Sequence, residues 1–515
     1  MSIVTFWSIP AVVSTALCLG LSFLILTYRR KVLRLRQVNG PTSTSLLFGH
    51  MLETVGSSSK WETNGQSPEP YLTWIARYGG VVRLRLLWTP VLLISDPKAL
   101  HHILLSNGAN YPRSTVAQVY INDLFLGESL LGVNGPRHDA FRKLFAPHFT
   151  AGRTKSFYPI FETQVKLVCD DILTPATVGT TRLNMFDVFQ QLTLSIIGLA
   201  AFGFDFKGND AANGAYKQYQ EPPGPLIMLG VFTIPGFLRW PLPSLFRRRQ
   251  IQVTLRQVID DVIEAKLTHK HDEPQDLLDL ILPHSTTQEA VAHTMTFLFA
   301  GHETSSAAMA WTFGLLAMNP SAVAQIRNEV QAVEAQFGSL AHRDAIAELK
   351  FTFAVIQESM RLHTVAEGVS GRVATKEDVV PLVDGSSLGT SLMIKSIAVH
   401  RNPKFWANPN DFEPKRFVEG SVEWKSDLEL REGNANAACY YMPFSVGPMN
   451  CIGYRFALAE MQLIVATLWS KFNFELTENA NLSPHFTGVT LHPVNLEMTV
   501  ASLTHQLPDM NNAAL

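Results

Sequence analysis

Phe444-Ser445-Val446-Gly447-Pro448-Met449-Asn450-Cys451-Ile452-Gly453 stands late in a chain of 515 residues. A helical pattern follows it through Phe456, Leu458, Met461 and Leu463. Cys451 is thereby set in a glycine-bounded loop just ahead of a helix N-terminus. Backbone N–H groups and the helix dipole stabilise a thiolate in such a place. Gly447 and Gly453 let the backbone come close to something large and flat. Taken by itself, the loop fits a buried, inert cysteine better than a reactive one. Three segments elsewhere in the chain reverse that preference.

Glu358 and Arg361 lie in the helical run Phe351 to Leu362, and their i, i+3 spacing puts them on one face. As a surface ion pair they would contribute almost nothing. Phe412-Glu413-Pro414-Lys415-Arg416-Phe417 follows, and Ala300-Gly301-His302-Glu303-Thr304-Ser305 lies midway along the longest expected helix. That helix runs from Ser285 to Asn319, with Thr286 and Glu289 as a capping-box start and Asn319-Pro320 as a stop. Val81 to Leu86 and Val91 to Ile94 read as two short strands.

In this order and with these gaps, the four segments resemble the cytochrome P-450 family, the haem-thiolate monooxygenases. The resemblance runs from about Pro41 to Val500. It implies a mainly α fold with a smaller β region, built around haem b. The family's loop F-x-x-G-x-R-x-C-x-G maps onto Phe444, Gly447, Cys451 and Gly453, with Cys451 as the thiolate ligand of the iron. Arg416 is expected to join Glu358 and Arg361 in a buried network. Glu303 and Thr304 match the acid and alcohol that assist oxygen activation, although the Thr304 hydroxyl could equally bond its own helix backbone.

Further matches are looser. Gly135-x-x-His138-x-x-x-Arg142 is similar to the family's W-x-x-x-R helix, with His138 in place of tryptophan. Arg142 is then expected to bind a haem propionate; His138 either shares it or is a solvated helix residue. Arg372, eleven residues after Arg361, matches another propionate-binding arginine or is an ordinary strand-edge residue. By family position the substrate pocket involves Phe297, Phe299, Ala300, Val365, Ala366, Val369 and the stretch Thr487 to Thr490. Phe297 and Phe299 read equally well as core. Two departures stand out. Thr364 replaces a common proline, and Met449 replaces the loop's propionate-binding arginine. A methionine cannot donate to a carboxylate, so weaker haem retention is expected.

The first 28 residues carry no charged side chain, and Phe6 to Leu26 is almost wholly apolar. As a helix that run would span about 31 Å, enough for a bilayer core. Arg29, Arg30, Lys31, Arg34 and Arg36 follow it and would hold that side in the cytosol. The expected organisation is a single transmembrane anchor over 1–28, a basic linker over 29–40 and a haem domain over 41–515. The protein would then sit in the endoplasmic reticulum membrane with its catalytic domain in the cytosol. Leu226 to Pro243, apolar and broken by prolines, is either a core segment or a loop that dips into the membrane interface and guards an entrance.

With 42 basic and 44 acidic side chains, the chain has no electrostatic footprint for nucleic acid. Four cysteines without a C-x-x-C pair exclude a disulfide scaffold and a zinc ribbon. There is no G-x-G-x-x-G, Walker A or G-x-S-x-G sequence, and His302-Glu303 lacks the second histidine of a zinc protease. The chain has no flavin or nicotinamide motif, and the resemblance then implies electrons from a separate NADPH-cytochrome P-450 reductase. The expected substrate is a hydrophobic small molecule, and the wording is most similar to fungal microsomal members that oxidise terpenoids or polyketides in secondary metabolism. An electron-independent haem-thiolate isomerase or dehydratase, and a non-catalytic haem-binding protein, are the alternatives.

Overall fold

The computed structural model describes residues 37–503 except 56, 66, 180, 207–213, 216–217, 220–224, 269–275, 381–390 and 432–436, with scattered positions before 37. The expected anchor over 1–28 and the first part of the linker lie almost wholly outside the described residues. Along the chain, strands β1 (Val81–Leu86) and β2 (Thr89–Ile94) come before helices α1 (Thr115–Leu124) and α2 (Gly135–Phe145). A short strand β3 (Arg182–Asn184) leads into α3 (Met185–Phe202), α4 (Pro243–Thr268), α5 (Thr287–Ala317) and α6 (Lys350–Leu362). Strands β4 (Val369–Val373) and β5 (Ser391–Ile394) follow. The chain closes with α7 (Tyr454–Lys471), β6 (Phe472–Leu476), β7 (Asn481–Phe486), β8 (Leu491–Asn495) and β9 (Glu497–Ser502).

The fold is therefore mainly α with a smaller β region. One sheet has the order β1-β2-β5-β4, with β2 and β5 parallel and Val91 opposite Ser391. A second has the order β3-β9-β6, and β7 with β8 forms a hairpin. α5 is the axis of the helical part. Its capping box is complete, with Glu289 N donating to Thr286 Oγ1 and Thr286 N to Glu289 Oε2. Its 31 residues span about 46 Å. Nearly every side of it is buried, as Ala290, Met295, Ala307, Ala310 and Phe313 illustrate, and a helix that is apolar all round belongs inside. α3 packs along it, and at Gly301 the approach is so close that a Cβ would lie 2.7 Å from Ile197 Cγ1. Among the described residues α3 is the helix long and apolar enough to cross a membrane, yet most of it is buried in this core.

α6 carries the ion pair that the sequence singled out. Arg361 Nε and Nη2 donate to the two oxygens of Glu358 at 2.7 and 2.8 Å. Arg416 Nε donates to Glu358 Oε1 at 3.0 Å and Arg416 Nη1 to Asp427 Oδ2 at 2.7 Å. Arg361 also donates to the carbonyl oxygens of His400, Pro409 and Asp411. All four charged residues are buried. Burial opposes the Arg416 charge, but Glu358 and Asp427 outweigh it and raise its pKa. Two cations and two anions complete one another, so this is no surface pair. It clamps α6 to the segment 400–427 and is the network expected of Arg416, with Asp427 as a fourth member.

Candidate functional site

Positive φ angles at Ser445 (58°) and Gly447 (81°) shape the cysteine loop. Gly447 has a second reason to be glycine, because a Cβ there would lie 2.1 Å from the Leu104 carbonyl oxygen. Ser445 N donates to Met442 O, Asn450 N to Gly447 O and Cys451 N to Phe444 O, at 2.9–3.1 Å. The loop thus closes on itself and delivers Cys451 just ahead of α7. Cys451 keeps accessible surface. Protein packed around the remaining sides pushes its thiol pKa up, while the Gly453 N–H and the Arg142 charge pull the other way. The start of the loop is also held. Met442 N donates to His400 Nε2 at 2.9 Å, which leaves the proton on Nδ1, and Nδ1 faces Thr364 Oγ1 at 2.9 Å. Burial keeps this histidine neutral, with its pKa lowered to about 3. Thr364, the departure from proline, thus contributes a hydroxyl to the support of the loop.

Next to the loop the structure gathers four basic side chains from three parts of the chain. Arg142, on α2, donates to both the carbonyl oxygen and Oδ1 of Asn450. Arg372, on β4, rests its guanidinium on Met449 Sδ. Arg113 pairs through its backbone with Arg372 and donates from Nη1 to Val133 O at 2.9 Å. His138 is buried on α2, not solvated, and lies near the charges of Arg113 and Arg142. Burial lowers the pKa of Arg113 to about 9, and the charges of Arg372 and Arg142 add to the effect. Burial lowers Arg372 to about 10 and also lowers Arg142 and His138. Among the described residues no carboxylate pairs with any of the three guanidiniums. Uncompensated buried cations are costly, and the two carboxylates of a haem are the kind of partner this set fits. Arg113 was missed in the sequence because no motif marks it. Its place is set by the pairing with β4.

Glu303 and Thr304 lie on α5. The Thr304 hydroxyl donates to its own Ala300 O at 2.6 Å. Glu303 is buried, and its Oε1 accepts from Thr487 Oγ1 at 2.8 Å and from Thr490 Oγ1. Phe297 turns out to be core: it meets Phe145 edge-on at 5.1 Å and stacks along Phe149 at 5.6 Å. Phe299 meets Phe125 edge-on at 5.6 Å. The side chain of Val369 lies outside those described.

The segment 226–243 folds as a helix, Pro225–Thr233, followed by a turn at Phe237–Arg239. It is not a core segment between helices. With Val116, Val119 and Asp123 of α1 and Gln252 of α4 it encloses a cavity of about 920 Å³. That cavity lies apart from Cys451 and Thr304, at the outer face, and Trp240 beside it is nearly half exposed. Beside it, α1 is tied to its neighbours: Arg248 of α4 donates to Asp123 at 3.0 Å, and Tyr219 to Leu124 O at 2.7 Å.

Comparison with known proteins agrees with this geometry. The family model described as cytochrome P-450 matches residues 46–500. Cytokinin hydroxylase of Arabidopsis thaliana is 28% identical over 89% of this chain and 90% of its own length. Cytochrome P-450 monooxygenase 205 of Postia placenta is 26% identical over 86% of each chain. LUTEIN DEFICIENT 5, a chloroplastic protein of Arabidopsis thaliana, is 28% identical over 84% of this chain and 73% of its own length. The family uses haem with an axial cysteine thiolate, takes electrons from a redox partner and acts on hydrophobic substrates. With the family model covering nearly all of the described fold, the chain belongs to the cytochrome P-450 monooxygenases.

Proposed function

We propose that the protein oxidises a hydrophobic small molecule with dioxygen and with electrons from NADPH, delivered by a separate membrane-bound NADPH-cytochrome P-450 reductase. Cys451 supplies the axial thiolate, and Phe444, Gly447 and Gly453 shape the loop around it. Arg113, Arg142 and Arg372 neutralise the haem propionates, with His138 among them. When bound, haem supplies oxygen activation and insertion into a C–H bond. The chain's own residues orient, exclude water and move protons: Thr304 and Glu303 stand on the oxygen side for proton delivery.

The observation that carries this reading is the anion-less arginine cluster beside the cysteine loop. A degenerate scaffold would not need three guanidiniums, two of them buried and one half-buried, aimed at no carboxylate of its own. Substrate reaches the site from the cavity between α1 and the segment 226–243. The exposed Trp240 and the apolar character of that segment support an entrance at a membrane interface. The reading includes an anchor over 1–28, a linker over 29–40 and a haem domain over 41–515, with the protein on the endoplasmic reticulum membrane; the uncharged apolar run and the basic residues after it support this. A role in fungal secondary metabolism, on a terpenoid or polyketide, follows the resemblance to fungal microsomal members, and two relatives are monooxygenases of Postia placenta.

The test is the carbon monoxide difference spectrum of the reduced, membrane-bound protein beside its Cys451→Ala variant. A strongly red-shifted Soret band in the wild type that is lost in the variant is the expected result. No haem in well-folded wild-type protein would defeat the reading. Turnover without NADPH or reductase would favour the isomerase alternative, against which the Glu303-Thr304 pair speaks.

A further inference from the structure

We infer that Thr487 and Thr490, in the turn between β7 and β8, are positioning residues for the Glu303 carboxyl group and through it govern proton delivery to the oxygen side of the site. The inference rests on the haem-thiolate reading above and assigns that site two residues from a distant part of the chain.

Glu303 is buried on α5, in the middle of the molecule. One of its oxygens accepts from both threonine hydroxyls, and those hydroxyls lie 3.0 Å from one another. The turn that presents them is tight. Thr487 N donates to Thr490 O at 3.0 Å, and Gly488 takes the positive φ, 95°, that the reversal needs. The turn is also fastened at its base. Leu491 N donates to Val365 O at 2.8 Å, and Trp311 Nε1, on α5 itself, donates to Leu491 O at 2.9 Å. The two hydroxyls are therefore held against Glu303 by the fold and not by their own flexibility. Thr304, the next residue, spends its hydroxyl on Ala300 O. In this arrangement the acid faces the turn and the alcohol faces its own helix, so the turn decides where the acid points.

A hydroxyl both donates and accepts. Thr487 is part-exposed and Thr490 fully buried, so the pair runs from the solvent side inward. A proton can pass in balance through the part-exposed member: Thr487 Oγ1 accepts one from water as it gives its own to Glu303 Oε1, and the protonated carboxyl group releases the proton held on its other oxygen, while Thr490 holds Oε1 in place. A contact that displaces the turn, as substrate lodged near it would make, also displaces the acid.

The experiment uses the full-length, membrane-bound holoprotein. Thr487→Val, Thr490→Val and the double variant remove the hydroxyls at nearly constant shape, and Thr487→Ser and Thr490→Ser retain them. Two signals are read. One is the infrared C–O stretch of the reduced carbon monoxide complex, which senses hydrogen-bond donors and charge on the oxygen side. The other is the share of NADPH electrons, fed through reductase, that emerges as hydrogen peroxide. The valine variants are expected to keep the red-shifted Soret band, to move the C–O stretch and to raise the peroxide share, and the serine variants to behave as wild type. An unmoved stretch and unchanged peroxide share in the double variant, with the Soret band intact, overturn this inference alone. Absence of the Soret band in the wild type overturns the haem-thiolate reading and the inference with it. Should the double variant not fold, Thr487→Val at the part-exposed position decides the question by the same two signals.

Discussion

Two arginine-rich regions lie buried in this protein, and they differ in one respect. Around Glu358, the guanidiniums of Arg361 and Arg416 meet the carboxylates of Glu358 and Asp427, with Arg431 joining Asp427 at the edge, and every charge has its partner within the chain. Around Arg113, three guanidiniums gather with no carboxylate among the described residues, and burial and mutual repulsion lower the pKa of Arg113 to about 9. The first region is complete without a ligand and serves the architecture. In the proposed reading the second is complete only when an anion arrives, and it serves binding. Buried charge alone does not distinguish a structural site from a functional one; its balance does.

The widest contrast should come from Glu358→Gln. It leaves Arg361 and Arg416 short of a negative charge, and breaking a buried pair costs about 3–5 kcal/mol. Urea midpoints are expected to fall in the haem-free and haem-bound protein alike. Equal midpoints for variant and wild type would show that the network is not structural.

Arg113→Met should act in the opposite sense on the haem-free protein. Losing one of three crowded cations should raise its thermal midpoint, while haem loss should quicken about 10–100-fold, the worth of a charged hydrogen bond of about 1.5–3 kcal/mol. The pH dependence has a definite sign. The Arg113 pKa in the folded chain, about 9, lies well below the ordinary guanidinium value. The unfolded chain then holds more protons above pH 9, and folded stability rises with pH there. The advantage of the methionine variant should therefore be full below about pH 9 and shrink above it. Midpoints of both haem-free proteins on either side of that pH check the claim, and a constant difference would refute it.

The smallest effect is expected of Met449→Arg. A fourth cation restores a donor to the propionate side, so haem loss should slow, by up to about tenfold. Because Arg372 already rests on that side chain, the haem-free variant should melt lower than wild type. Unchanged or faster haem loss would show that Met449 is not the weak point of the cradle.

Much of this was legible in the sequence because it is local. The capping box at Thr286 and Glu289, the stop at Asn319-Pro320, the first two strands and the glycine loop around Cys451 are written in neighbouring residues, and the structure has them where expected. Resemblance supplied the company of Glu358, Arg361 and Arg416. What was not legible depends on contacts across the chain. Arg113 acquires its role by lying beside β4, Asp427 by reaching back to Arg416, and Thr487 and Thr490 by a turn nearly two hundred residues from Glu303. Phe297 and Phe299 sit two apart on one helix, and periodicity alone could not say which was core. The packing answers that both are: Phe297 lies against Phe145 and Phe149, and Phe299 against Phe125, in one buried cluster.

The bond between Arg142 and Asn450 joins residues 308 positions apart. On a ribosome adding about 5–20 residues per second, α2 is made roughly 15–60 s before the loop it must brace. For that interval the arginine has no loop to hold and the cysteine does not yet exist. Haem capture therefore comes at the end of synthesis, once α7 has emerged and drawn the loop against α2. A chain truncated just before residue 451 would leave the ribosome with most of its helices and no means of keeping the cofactor.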